Sequence, residues 1–239
     1  MTVTIAEELL LLAYSDDKGT PLINVTRLDP AVAGAVLAEL AVARRIEVTG
    51  RLLKKLTVTD PAPLGDQELD AALAAIAAKR GTRSPAWWVH ELQSQKLRGR
   101  LLSRLAAAGI LSERRGRVLG LFPVTRWPEA HPGAEANVRE RVSAVLAGAH
   151  PDDRTAALIA ITHAAGLSRK VFPGASRRRV KELAKGTWAA DAVAQTISAI
   201  GTAVMTTSTS SSSGSGSGSG GGDGGGGGDG GDGGGGGGD

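Results

Sequence analysis

From Ile5 to Tyr14 every position is apolar except Glu7 and Glu8, and the turn Ser15-Asp16-Asp17-Lys18-Gly19 closes the stretch. So few polar positions predict a helix buried on nearly all sides. A second helix is expected from Asp29-Pro30, an N-cap residue followed by Pro at the first helical position. Its Val36, Leu37, Leu40 and Ala41 are spaced for one apolar face. Residues 45–50 and 56–60 alternate around a polar turn and predict a hairpin. Asp66 then caps a helix through Leu69, Ala72, Leu73 and Ile76, which ends at Lys79-Arg80-Gly81.

Ser84-Pro85 opens another helix in the same way, with Trp87 and Trp88 in its first turn. Leu92, Leu97, Leu101 and Leu105 continue its apolar side as far as Gly109. Residues 110–113 and 118–124 predict two strands, joined by the tip Arg114-Arg115-Gly116-Arg117. Further helices are expected at about 135–148, 151–165, 176–186 and 188–204. The fold class is therefore mainly α, a single helical domain over residues 1–205 with two small β-hairpins. From Ser208 the chain contains only Ser, Thr, Gly and Asp. Such a segment buries too little apolar surface to offset its ordering entropy, so 206–239 is expected to be a disordered low-complexity tail.

Composition narrows the function. The chain has 239 residues and no Cys, which removes disulfides, iron–sulfur clusters, Cys-zinc sites and thiol nucleophiles. Four of its 24 acidic residues (Asp223, Asp229, Asp232 and Asp239) lie in the tail, whereas all 28 Lys and Arg precede it. The body thus sets 28 cations against 20 anions, a surplus of eight that favours anionic partners. Seven aromatic residues (four Trp, one Tyr, two Phe) are too few for a nucleic-acid stacking platform. Glu7 and Glu8 interrupt the first apolar stretch, unlike a secretory leader, and no apolar run approaches the ~20 residues of a membrane helix. An intracellular, soluble chain is the expectation. His90, His131, His150 and His163 have no partner at metal-ligand spacing, and no phosphate-binding Gly loop precedes a helix. No enzyme activity, metal or cofactor is expected.

The basic residues cluster three times. Lys96, Arg100 and Arg104 repeat every four residues and form one stripe, with Arg98 on another side. Arg114, Arg115 and Arg117 form the second cluster, and Arg177, Arg178, Arg179 and Lys181 the third. Arg at this density suits bidentate contact with phosphate. Two binding readings follow. In one, the helix before the Arg-rich hairpin reads DNA and the hairpin acts as a wing. In the other, the basic face meets anionic head groups while Val118, Leu119, Leu121 and Phe122 dip into a membrane interface.

Several segments together resemble the Golgi phosphoprotein 3 family. They are Thr4-Ile-Ala-Glu-Glu-Leu-Leu-Leu-Leu12 with Asp17-Lys18-Gly19, Leu37-Ala-Glu-Leu-Ala41 with Arg45-Ile46, and Asp60-Pro-Ala-Pro-Leu-Gly-Asp66 with Leu69-Asp70 and Ala72-Leu73. Lys96-Leu-Arg-Gly-Arg-Leu101, Gly109-Ile-Leu111 and Leu121-Phe122 continue the match, which covers about residues 4–200 in order. The lack of Cys and the Ala/Gly/Arg-rich body look like a bacterial member. The resemblance implies a peripheral membrane protein of the cytosolic face that binds phosphatidylinositol 4-phosphate, with adaptor work toward client membrane proteins in eukaryotic members. It implies a head-group site of one Trp and three Arg, whose positions fall here at Asn24, Ala33, Gln95 and Arg98. Only Arg98 is kept, with Lys96, Arg100 and the loop residue Arg27 as substitutes by proximity, and with Arg114, Arg115, Arg117, Leu119 and Leu121 as the membrane-contact hairpin. Charge-assisted bonds are worth ~1.5–3 kcal/mol each, so losing two Arg weakens strict 4-phosphate selectivity while leaving general attraction to anionic lipid.

Overall fold

The computed structural model describes residues 3–50, 53–118, 121–131, 133–185, 187–189 and 191. Helix α1 (Ile5–Ala13) is the expected buried helix, and none of its nine residues reaches the surface appreciably. A capping box starts it: the Thr4 hydroxyl accepts from the Glu7 N–H, and the Glu7 carboxylate accepts from the Thr4 N–H at 2.8 Å. Then follow α2 (Val25–Val42), the hairpin β1 (Ile46–Thr49) and β2 (Lys55–Val58), α3 (Gln67–Ala78), α4 (Pro85–Leu92) and α5 (Gln95–Ala107). The second hairpin is β3 (Arg114–Val118) and β4 (Phe122–Arg126), and α6 (Gly133–Leu146), α7 (Asp153–Ala164), α8 (Ser168–Val171) and α9 (Arg177–Ala184) complete the described order.

Helices α1 and α2 pack on each other and form the centre. α3 and α4 cover α2, α5 and α6 cover α1, α7 touches both, and α9 lies on α7. Leu9, Leu10, Leu12, Leu28, Leu37 and Leu40 are fully buried in this core, and each contributes roughly 1.5–3 kcal/mol by its removal from water. Burying Glu7 and Glu8 is costly unless they are paired. Arg104 of α5 donates to Glu7 at 2.6 Å, and Arg141 of α6 donates to Glu8 at 2.6 Å. Arg154 of α7 reaches Glu8, Glu39 and the Val3 carbonyl. Acidic residues in a first turn complement the helix dipole, but these two also tie α5, α6 and α7 to α1.

Two expected helix boundaries are corrected. α2 starts at Asn24, whose side chain accepts from the Thr26 N–H at 3.0 Å, not at Asp29-Pro30. Pro30 is tolerated inside the helix, where burial of Leu28 and the pairing of Asp29 with Arg98 hold the first turns. Arg27 is consequently a helical residue rather than a loop residue. The single helix expected from Pro85 to Gly109 is two helices, because α4 ends at Leu92 and Ser94 recaps the chain by accepting from the Leu97 N–H at 3.0 Å. The short α8 was not expected. The tail 206–239 lies outside the described residues, as does the helix expected at 188–204 apart from residues 188, 189 and 191.

The base of the second hairpin is clamped to the turn between α1 and α2. The Trp127 N–H donates to the Gly19 carbonyl at 2.8 Å, and the Glu129 N–H donates to the Asp16 carbonyl at 3.0 Å. Gly19 has φ +60°, and a Cβ there would stand 2.3 Å from the Pro128 nitrogen, so both conformation and space demand glycine.

Candidate functional site

α5 presents Leu97, Leu101, Leu102 and Leu105 to the core, and its remaining faces carry the first basic cluster. Arg98 lies inward, its side chain 11% exposed, and pairs with Asp29 of α2. Tyr14 belongs to the same group: burial pushes its hydroxyl pKa up, Arg98 opposes the shift and Asp29 adds to it. Burial likewise raises Asp29, against the pull of Arg98. Arg100 and Arg104 share one side of α5, as their spacing predicted, but both are matched by carboxylates. Arg100 donates twice to Glu68, at 2.7 Å through Nη2, and Arg104 donates to Glu7 and to Asp66 at 2.6 Å each. Lys96 is exposed, and among the described residues it is the cation of α5 that meets no carboxylate. It lines a groove of about 740 Å3 together with Arg100, Glu68, Glu113 and Trp127.

The second cluster is not a hairpin tip. The register pairs Arg114 with Arg126, Arg115 with Thr125 and Arg117 with Pro123, so these arginines lie along β3. The connection falls after Val118, because Val118 opposes Phe122. Alternation places Arg114 and Arg126 on one face and Arg115 and Arg117 on the other, so the ribbon is basic on both faces. Arg114 directly opposite Arg126 is a like-charge pair that destabilises the hairpin unless an anion lies between them. Arg115 donates to Glu113 at 2.7 Å yet remains 82% exposed. Leu121 stands at the turn and is 78% exposed, while Leu119 lies outside the described residues.

A third constellation escaped the sequence reading. Carboxylate oxygens of Asp16, Glu129 and Glu135 all lie within 4.8 Å of one another, at the foot of the hairpin clamp. Burial, reinforced by Asp16, raises the Glu135 pKa to about 7 against the opposing Arg139. The Arg139 guanidinium pairs with Glu135 and also donates to the Val171 carbonyl at 3.0 Å. The three acids come from separate segments, so no spacing rule brings them together.

A central apolar helix tied by arginines and a clamped basic hairpin are the main features of this surface, and comparison with known proteins places the chain. The family profile of Golgi phosphoprotein 3 (GPP34) matches residues 5–200. The chain belongs to the Golgi phosphoprotein 3 family. It is also similar to vacuolar protein sorting-associated protein 74 of Eremothecium gossypii, at 24% identity over 205 residues, covering 72% of this chain and 62% of that protein. The chain thus spans less than two thirds of the length of this relative.

The structure places each head-group position implied by the Golgi phosphoprotein 3 resemblance. Asn24 is the exposed N-cap of α2, Ala33 is fully buried in α2, and Gln95 is exposed at the first position of α5. Arg98 faces Asp29. Of the substitutes, Arg27 extends instead to Gly166 after α7, where its Nη1 would stand 2.9 Å from an added Cβ. Lys96 and Arg100 line the groove beside α3. The retained arginine and its substitutes therefore face different surroundings.

Proposed function

We propose that this chain is a non-enzymatic peripheral membrane protein that attaches to anionic, phosphorylated lipid at the cytosolic face of a membrane, phosphatidylinositol 4-phosphate included, and serves as an adaptor there. The observation that carries this reading is the hairpin β3–β4, which puts the exposed Leu121 at its turn, Arg117 one pair behind it, and Arg115, Arg114 and Arg126 farther down the ribbon. An apolar tip flanked by cations on both faces suits entry between head groups, with the guanidiniums meeting lipid phosphates. Membership of the Golgi phosphoprotein 3 family supports the same reading. Among the described residues no helix is long and apolar enough to cross a membrane. Because Arg98 is paired with Asp29, diffuse attraction to anionic lipid outweighs strict choice of the 4-phosphate. In the competing DNA reading α5 is the recognition helix, but its three arginines are engaged by carboxylates.

Sedimentation with neutral, anionic and phosphoinositide-containing vesicles tests the proposal. Binding is expected to anionic and phosphoinositide vesicles, to weaken as salt rises, and to fall for Arg114→Glu/Arg117→Glu and for Leu121→Asp. Salt-independent binding, or equal binding by the hairpin variants, refutes it. A duplex DNA control that binds more tightly than any vesicle would return the assignment to nucleic acid.

A further inference from the structure

The groove between the end of α7, α8 and α9 differs in its charge from the grooves beside Lys96 and Trp87. It measures about 610 Å3, and it is lined by basic side chains from three segments, His163, Arg169, Arg177 and Lys181, with no carboxylate. The groove beside Lys96 contains Glu68 and Glu113, and the one beside Trp87 contains Asp191. Arg177 and Lys181 lie one turn apart on α9, and among the described residues neither they nor Arg169 meets a carboxylate. The neighbouring cations are engaged: Arg178 donates to Glu182 at 3.0 Å, and Arg179 reaches the Val145 and Ala149 carbonyls at 3.5 Å each.

The local electrostatics favour an anion. α9 opens with Arg177, Arg178 and Arg179 in its first turn and no acidic residue there, opposite to the preference set by the helix dipole. An anion in the groove relieves that repulsion. The floor is apolar and recessed: Phe172 is half-buried and Val180 is 4% exposed, in contrast to the protruding Leu121. A flat bilayer does not reach a recessed floor behind a cationic rim, whereas a side chain projecting from a peptide does. Ser168 lines the same groove, and its Oγ is buried without a partner in the groove wall.

We propose that this groove docks an acidic peptide segment of a partner protein, with its carboxylates on Arg169, Arg177 and Lys181 and one bulky apolar side chain over Phe172 and Val180. The site uses no residue of the hairpin, so its fate is independent of the membrane reading. The test is fluorescence anisotropy of the full chain with a labelled synthetic peptide whose central Phe is flanked on both sides by Glu. Two matched peptides carry Ala for Phe and Lys for Glu. The parent peptide is expected to bind, and each matched peptide to bind about tenfold more weakly or worse. Arg177→Glu/Lys181→Glu lowers affinity for the parent by about tenfold or more. Both side chains are exposed, so the fold is expected to survive, and circular dichroism checks it. Arg169→Gln on α8 provides an independent second variant with a smaller loss. Arg114→Glu/Arg117→Glu leaves peptide affinity unchanged. Equal binding of the Phe and Ala peptides, or no loss in the α8 and α9 variants, overturns the proposal. A groove variant that loses anionic vesicles while the wild-type chain ignores the peptide also overturns it, and assigns the groove to lipid.

Discussion

Arg98→Ala, made alone and together with a change at Asp29, decides whether this arginine binds ligand or holds the fold. Its side chain is 11% exposed and that of Asp29 18%, and each is the other's ionic partner. Removing one member of such a buried pair strands the other charge and costs ~3–5 kcal/mol. Part of that cost is recovered by protonation, because burial already raises the Asp29 pKa and Arg98 is what restrains it. Without Arg98 the folded-state pKa of Asp29 rises further above its unfolded value. Stability is then retained at low pH and lost as pH rises through that folded pKa, so the penalty is smaller at pH 4 than at pH 8. Arg98→Leu/Asp29→Leu removes both charges and replaces them with apolar volume, which is expected to recover most of the loss. Urea denaturation followed by tryptophan fluorescence at the two pH values measures Arg98→Ala, Asp29→Leu and the double variant. A cost below ~1 kcal/mol for Arg98→Ala, or a double variant as unstable as the two single changes added together, refutes the argument. Selective loss of phosphoinositide binding with unchanged stability would instead make Arg98 a ligand contact.

Four further outcomes are expected. Glu135 has a pKa raised to about 7, so its protonated form favours the native state. That stability is complete below the ordinary value near 4.5 and is lost as pH climbs through 7, up to about 3 kcal/mol. Glu135→Gln flattens this slope, and melting temperatures at pH 5 and pH 8 measure it. Gly19→Ala forces a side chain into the Trp127–Pro128 backbone at positive φ and is expected to cost at least ~2 kcal/mol in urea denaturation. Ser94→Ala removes the cap that restarts the chain as α5 and is expected to cost ~1 kcal/mol, measured in the same way. A chain ending at residue 205 is expected to keep the full chain's melting temperature and vesicle affinity; a large drop in either would give the tail a role.

The elements most legible in the sequence are those fixed by neighbouring residues. α1, the first hairpin and α3 lie where the apolar runs, the alternation and the Asp66 cap put them. Where a local signal competed with distant packing, packing won. Asp29-Pro30 has the look of a helix start, yet Asp29 is held 69 residues away by Arg98, inside a helix already capped by Asn24. The leucine spacing from Leu92 to Leu105 hid the break at Ser94, although a Ser followed by an uncapped turn was there to be read. The arginine stripe had the right geometry and the wrong role. Glu68, 32 positions from Arg100, and Glu7, 97 positions from Arg104, neutralise it, and no local spacing reveals such partners. The hairpin arginines are exposed as their sequence suggested, because strand residues without a core face stay exposed whatever else folds around them, but their place along β3 was not legible.

The ring of arginines around α1 also sets an order of events during synthesis. α1 is made first, but it is an interior element carrying two carboxylates whose partners come 97, 133 and 146 positions later. A nascent chain that has completed only α1 to α4 has neither Arg104, Arg141 nor Arg154 to answer Glu7 and Glu8. Burial of α1 in that intermediate would leave two uncompensated charges in apolar surroundings, so stable burial of the helix is expected only after α7 has been made. Folding from the N-terminus is thereby disfavoured, and the chain is expected to close around its first helix late, once the three arginines are available. The newly made helix, with its run of four leucines at positions 9–12, is meanwhile the segment most in need of shelter from other chains.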